Sequence, residues 1–126
     1  MLRLLTPQLK KTFKDYPLYS QDGLYSEAVC IAIFFLGNIH WFILEGEPAG
    51  DDYRMFGIVT GMGDDEYGYL SLKELSSIEV DGSKYGVGKL KIRQLPNWKP
   101  TKLKNLHHPR LCKFLAKFKK EETEQV

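Results

Sequence analysis

Residues 27–48, EAVCIAIFFLGNIHWFILEGEP, decide the fold. Two apolar runs rich in β-branched and aromatic residues flank Gly37–Asn38. Both turn residues tolerate positive φ, so the spacing predicts a two-residue hairpin. The register follows from the turn: Leu36 opposite Ile39, Phe34 opposite Trp41, Ala32 opposite Ile43. Both faces of this hairpin are apolar, which predicts a central position covered on each side. The run from Ala28 to Gly37 falls well short of the roughly 20 apolar residues of a membrane helix. It therefore reads as one buried strand.

Outward from the hairpin, RMFGIVTG (54–61) and YGYLSL (67–72) read as a third and a fourth strand. GEPAGDDY (46–53) reads as a loop. MGDDE (62–66) sits where a hairpin tip belongs, with Gly61 and Gly63 supplying the turn. Asp64, Asp65 and Glu66 are thus expected to be exposed and to serve no catalysis. The fourth strand runs into a helix. Ser71 and Glu74 have capping-box spacing, and Leu70 and Leu75 occupy the two staple positions. Upstream, LLTPQLKKTF (4–13) opens with Thr6 as a cap and Pro7 at the first helical position. Leu9 and Phe13 share one face, and Pro17 stops the helix near Asp15.

Downstream, DGSKYGVG (81–88) reads as a loop. KLKIRQL (89–95) reads as a single half-exposed edge strand, with Lys89, Lys91 and Arg93 outward and Leu90 and Ile92 inward. RLCKFLAKFKKEE (110–122) is a helix with Leu111, Phe114, Leu115 and Phe118 on one stripe. The fold class is α+β. It has an antiparallel sheet of about five strands in mostly meander order, an N-terminal helix, a short capped helix after the fourth strand and a C-terminal helix. Residues 1–96 form the core domain. Residues 97–126 form a basic C-terminal extension packing as a helix on that same domain.

The net charge of +2 conceals a division. Asp22 to Asp81 carries 12 acids against Arg54 and Lys73, whereas Gly82 to Lys120 carries 12 Lys and Arg and no acid. Such a split implies an electrostatic partner for one half, or two halves that attract each other. The acidic candidates are Asp51, Asp52, Asp64, Asp65 and Glu66. Carboxylates clustered on a β-scaffold can imitate a phosphate backbone. The basic candidates are Lys99, Lys102, Lys104, Arg110, Lys113, Lys117, Lys119 and Lys120. Such a set attracts phosphates, and the nearby Trp98 offers a ring on which a base could stack.

Catalytic patterns are scarce. GVGK (86–89) fails the phosphate-loop pattern, since Ser83 stands where a glycine is required and Leu90 follows the lysine. No nucleophile elbow is present. The acids lack EF-hand spacing, and His107–His108 are adjacent, a poor arrangement for one metal. His40 reads as a packed residue beside Trp41. Cys30 and Cys112 read as two buried free thiols, with no CxxC pair. No metal and no cofactor are expected.

LLTPQLKKTF, PLYSQDG and FGIVTGMGDDEYGYLSLKELSSI together resemble the small proteins called domain of unknown function 2958. The matching positions are Leu4–Leu5–Thr6, Pro17–Leu18–Tyr19, Trp41, Phe56–Gly57 and Glu66 through Leu75, and the resemblance covers about residues 2–95. Leu70 stands where an aromatic is usual. The resemblance implies a bacterial protein often carried on plasmids or other mobile elements, and it implies no catalytic residues. The resulting expectation is a non-enzymatic interaction protein in the cytoplasm with a protein partner, such as an acidic-surface inhibitor of a host defence nuclease. The alternative is a nucleic-acid-binding accessory protein using the basic C-terminal third, and a metal-dependent enzyme ranks third. No membrane segment is expected.

Overall fold

The structure is a computed structural model that describes the backbone of residues 2–124 and the side chains of residues 2–118. In chain order the elements are α1 (Pro7–Phe13), β1 (Val29–Cys30), β2 (Ala32–Leu36), β3 (Ile39–Ala49), β4 (Asp52–Thr60), β5 (Glu66–Ser71), α2 (Leu72–Ser77), β6 (Glu79–Asp81), β7 (Lys89–Lys91), β8 (Arg93–Gln94), β9 (Thr101–Lys102) and α3 (Pro109–Glu124). Strands β2 to β5 form an antiparallel meander, and β8 joins its far edge to give the order β5-β4-β3-β2-β8. The α+β architecture is the one expected from the sequence.

The central hairpin has the expected register, with Leu36 paired to Ile39, Phe34 to Trp41 and Ala32 to Ile43. Its two apolar faces carry two cores. One face buries Leu9, Phe13, Phe34, Trp41, Ile43, Met55, Leu72 and Leu75 beneath α1 and α2. The other buries Ile33, Phe42, Leu44 and Ile58 beneath Leu103, Leu111, Phe114 and Leu115. The last three of these are on α3, so its apolar stripe caps the second face. On the first face Phe13 stacks on Tyr53 with ring centroids 5.1 Å apart, which seats α1 on the sheet.

Local signals set the helix starts. The Thr6 hydroxyl accepts the Leu9 N–H, and Pro7 begins α1. The Ser71 hydroxyl accepts the Glu74 N–H at 3.0 Å and donates to Asp52 Oδ2 at 2.5 Å. Asp52 Oδ1 accepts the N–H groups of Lys73 and Tyr53. Burial works to raise the Asp52 carboxyl, but the hydrogen bonds from Ser71, Lys73 and Tyr53 outweigh it and hold the group below its ordinary range. Ser71→Ala removes both a cap and a partner of Asp52. It is expected to lower stability by about 1–2 kcal/mol, read as a shift in the urea midpoint.

Several local readings require correction. GEPAGDDY is not a loop: β3 and β4 extend through it and turn tightly at Gly50–Asp51, because cross-strand pairing from Glu45–Phe56 to Ala49–Asp52 continues the ladder. The strand read over Ala28–Gly37 breaks at Ile31, and β1 pairs with β9 outside the main sheet. KLKIRQL is likewise divided. β7 pairs with β6 in a separate ribbon, leaving Leu90 exposed, while Ile92 turns into the core and β8 pairs with β2. DGSKYGVG bridges that ribbon through a 3-10 turn at Ser83–Tyr85. Cys30 is buried, and that burial pushes its thiol up to about 12, but Cys112 is exposed.

Candidate interaction surface

Several of the acidic and basic candidates are engaged within the fold, and one pair, Asp65 and Arg110, joins the two sets. Asp65 is half-buried rather than free. Arg110 grips it with two bonds, Nη2 to Oδ1 at 2.8 Å and Nε to Oδ2 at 3.1 Å, and the Gly61 N–H donates to Oδ1. This fork-on-carboxylate geometry ties the β4–β5 tip to α3 and holds the Asp65 carboxyl below its ordinary range. Asp51 pairs with Lys73 on the surface, and Asp52 serves α2. Among the described residues only Asp64 and Glu66 of the acidic set have side chains without a hydrogen bond or ion pair. On the basic side, Lys102 and Lys104 both bind Glu27, at 2.9 and 2.7 Å, and Lys117 lies 5.9 Å from the Phe114 ring centre. Lys99 and Lys113 are exposed without such partners among the described residues. The side chains of Lys119 and Lys120 lie outside the described residues. Of the two explanations for the charge split, mutual attraction accounts for these pairs.

Trp98 does not present a free ring. Its indole Nε1 donates to the Cys30 carbonyl at 2.9 Å, and the ring packs on the second core. His40 is packed as expected, stacking on Phe35 and Phe42 and meeting His108 with ring centroids 4.5 Å apart. His108 Nδ1 accepts the Leu111 N–H at the start of α3. Burial, then His40 and Arg110, depress its protonation. Among the described residues no three His, Cys, Asp or Glu side chains gather into a metal-binding group.

A surface that sequence reading missed starts from a buried carboxylate. Glu45 is 2% exposed. A bulge between Ile43 and Glu45 turns Glu45 and Glu47 onto the second face of the sheet, opposite Phe56 and Arg54. There Glu45 accepts the backbone N–H groups of Tyr19 and Gln21, both at 2.8 Å, and Glu47 accepts that of Leu18 at 3.1 Å. Gln21 completes the anchor by donating to the Val29 and Leu44 carbonyls and accepting the Val29 N–H. The loop at residues 17–24 is thereby clamped to the sheet, and Tyr19 is held at φ +73°, a backbone region unfavourable to a bulky side chain.

The clamped loop presents tyrosine. Tyr19 is 62% exposed and meets Tyr69 of β5, itself 45% exposed, with centroids 6.5 Å apart. The Arg54 guanidinium lies 4.5 Å above the Tyr69 ring. The side-chain hydrogen bond with Tyr19 raises the Tyr69 phenol above its ordinary value. Behind them an aromatic row continues through Phe56 and Tyr67 to Phe118, each ring 5.1–5.6 Å from the next. A pocket of about 190 Å³ opens beside this row between Gln21, Tyr25 and Phe56. The signal for this surface was an acid inside an apolar strand, but regular alternation would have placed Glu45 on the opposite face.

The family profile described as Protein of unknown function (DUF2958) matches residues 4–91. The chain belongs to this family. No curated protein and no solved structure matches it. The DUF2958 segment contains α1, the meander, Glu45 and both surface tyrosines, but stops before β8 and α3. Leu103, Leu111, Phe114 and Leu115 therefore cover the second face from outside the DUF2958 match. No helix among the described residues is long and apolar enough to cross a membrane.

Proposed function

We propose that this DUF2958 chain is a non-enzymatic interaction protein that engages a protein partner through Tyr19, Tyr69 and Arg54. The observation that carries this reading is Tyr19, held in left-handed backbone by a buried carboxylate and yet exposed at its ring. Strain maintained in this way belongs where a side chain must be presented in one orientation. Tyrosine and arginine are also the residue types that dominate binding energy at protein interfaces. The surface borders β5, an edge strand of the main sheet, whose first residue is Glu66. A partner lying along this edge would meet Glu66 and Asp64 at one end, which favours a basic partner.

The setting implied by the family, a bacterial mobile element, fits an inhibitor of a host defence nuclease. In that role the working acids reduce to Asp64 and Glu66, because the others are engaged within the fold. A nucleic-acid role for the basic C-terminal third draws less support, since Lys102, Lys104 and Arg110 are already paired.

Photocrosslinking tests the assignment. A photoreactive residue replacing Tyr69 is expected to capture a discrete protein in cells that naturally carry the gene, and one replacing Lys99 is not. Tyr19→Ala in the same chain should abolish the Tyr69 crosslink. Nucleic acid captured at Lys113, with no protein captured at Tyr69, would reject the reading.

A further inference from the structure

The pocket beside the aromatic row has a volume of about 190 Å³. That is below the roughly 300–1,000 Å³ of small-molecule sites, so it suits one side chain rather than a free ligand. Ala28 and Leu44, both buried in the second core, supply apolar lining. Three aromatic residues, Tyr25, Phe56 and Tyr67, line it as well. The strand pairing agrees with this placement. Phe56 and Tyr67 pack on the same second core, and Tyr67 stands opposite Ile58 of that core.

Tyr25 reaches the pocket from the loop side. It opens a 3-10 turn at Tyr25–Glu27 with φ +46°, so it is a second tyrosine held in left-handed backbone after Tyr19. Its ring stacks on Phe118 with centroids 5.6 Å apart, and Phe118 in turn meets Tyr67. Among the described residues Asp22 is the one charged residue that lines the pocket. Asp22 is exposed, and its side chain makes no hydrogen bond or ion pair among the described residues. After the Tyr19 hydrogen bond, the Asp22 charge adds to the rise of the Tyr69 phenol, which places this carboxylate near the tyrosine surface.

Aromatic rings attract cations to their negative faces, and an unpaired carboxylate beside them adds to that attraction. The chain already uses this chemistry once, with Arg54 above Tyr69 in the same row. We infer that the pocket receives a lysine or arginine side chain of the protein partner, with the alkyl stem among Leu44 and the aromatic rings and the cationic head beside Asp22. The assignment rests on the tyrosine surface proposed above and names the residue type which that surface selects in its partner. A partner lying along β5 passes the pocket, because Tyr67 belongs to that strand.

The test titrates the isotope-labelled full chain by NMR with butylammonium and butylguanidinium, which reproduce the two side chains, and with 1-butanol and butylurea as their neutral counterparts. Saturable shifts are expected at Gly23, Tyr25 and Leu44, with the cations binding at least about threefold tighter than the neutral probes. Asp22→Asn, a change at an exposed position, should weaken the cations about threefold to fivefold and leave the neutral probes unchanged. Tighter binding of butylammonium identifies lysine as the occupant, tighter binding of butylguanidinium identifies arginine, and equal affinities admit either. The assignment is overturned if neither cation shifts these resonances, if the neutral probes bind as tightly as the cations, or if Asp22→Asn leaves cation affinity unchanged. The titration needs no partner, and the Tyr69 crosslink needs no occupied pocket. A failed titration with the crosslink retained rejects the pocket assignment alone, and the reverse result rejects the partner surface and not the cation pocket.

Discussion

Gly57→Ala is expected to destabilise the fold by more than about 3 kcal/mol, the upper range for overpacking, or to prevent folding. A Cβ at this position would lie 2.2 Å from the Phe42 carbonyl oxygen and 3.1 Å from Ile43 Cα. Both are backbone atoms of the central strand, next to the bulge, and cannot move without parting β3 from β4. The internal control is Gly68, which pairs with Gly57 across β5. A Cβ there would have nothing within 4 Å. Gly68→Ala should therefore stay within about 0.5 kcal/mol of the parent. Urea denaturation of the two variants side by side checks this. Similar midpoints would mean that β3 and β4 do not approach as closely as described.

Glu45→Ala is the second large effect, expected to cost about 3 kcal/mol. The carboxylate accepts two main-chain N–H groups, and that of Gln21 is buried. Removing the acceptor leaves these donors without partners in a place water cannot readily fill. Glu45→Gln should recover part of the loss, since its one amide oxygen can still accept. Amide hydrogen exchange gives a second, local readout. The Tyr19 and Gln21 amides should exchange much faster in Glu45→Ala than in the parent, while Phe42 changes only by the global loss of stability. Unchanged protection at Tyr19 would remove the clamp, and with it the main support for the tyrosine surface.

The elements legible in the sequence are those that local chemistry decides. Gly37–Asn38 admits positive φ and therefore fixes a two-residue turn, so the pairing of Phe34 with Trp41 followed without further information. Thr6, Pro7 and Ser71 mark helix starts because an orphan N–H group needs an acceptor within three residues. The stripe Leu111, Phe114, Leu115 and Phe118 declares a helix that must cover something. Tertiary structure alone decided what that stripe covers. It also decided the split of residues 89–94, because β6 and β2 compete for one run and each takes a part.

The largest departure lies at the candidate surface. Alternation along a strand assigns Glu45 to the face of Trp41 and Ile43. A single extra residue in β3 reverses that assignment, and a bulge is set by pairing across strands rather than by the sequence of one. The charge split followed the same logic. Composition established that the middle of the chain is acidic and the end basic, but a count of charges has no distances in it. Only folding brought Arg110 to Asp65 and Lys104 to Glu27, and so engaged part of each apparent binding surface in ion pairs within the chain.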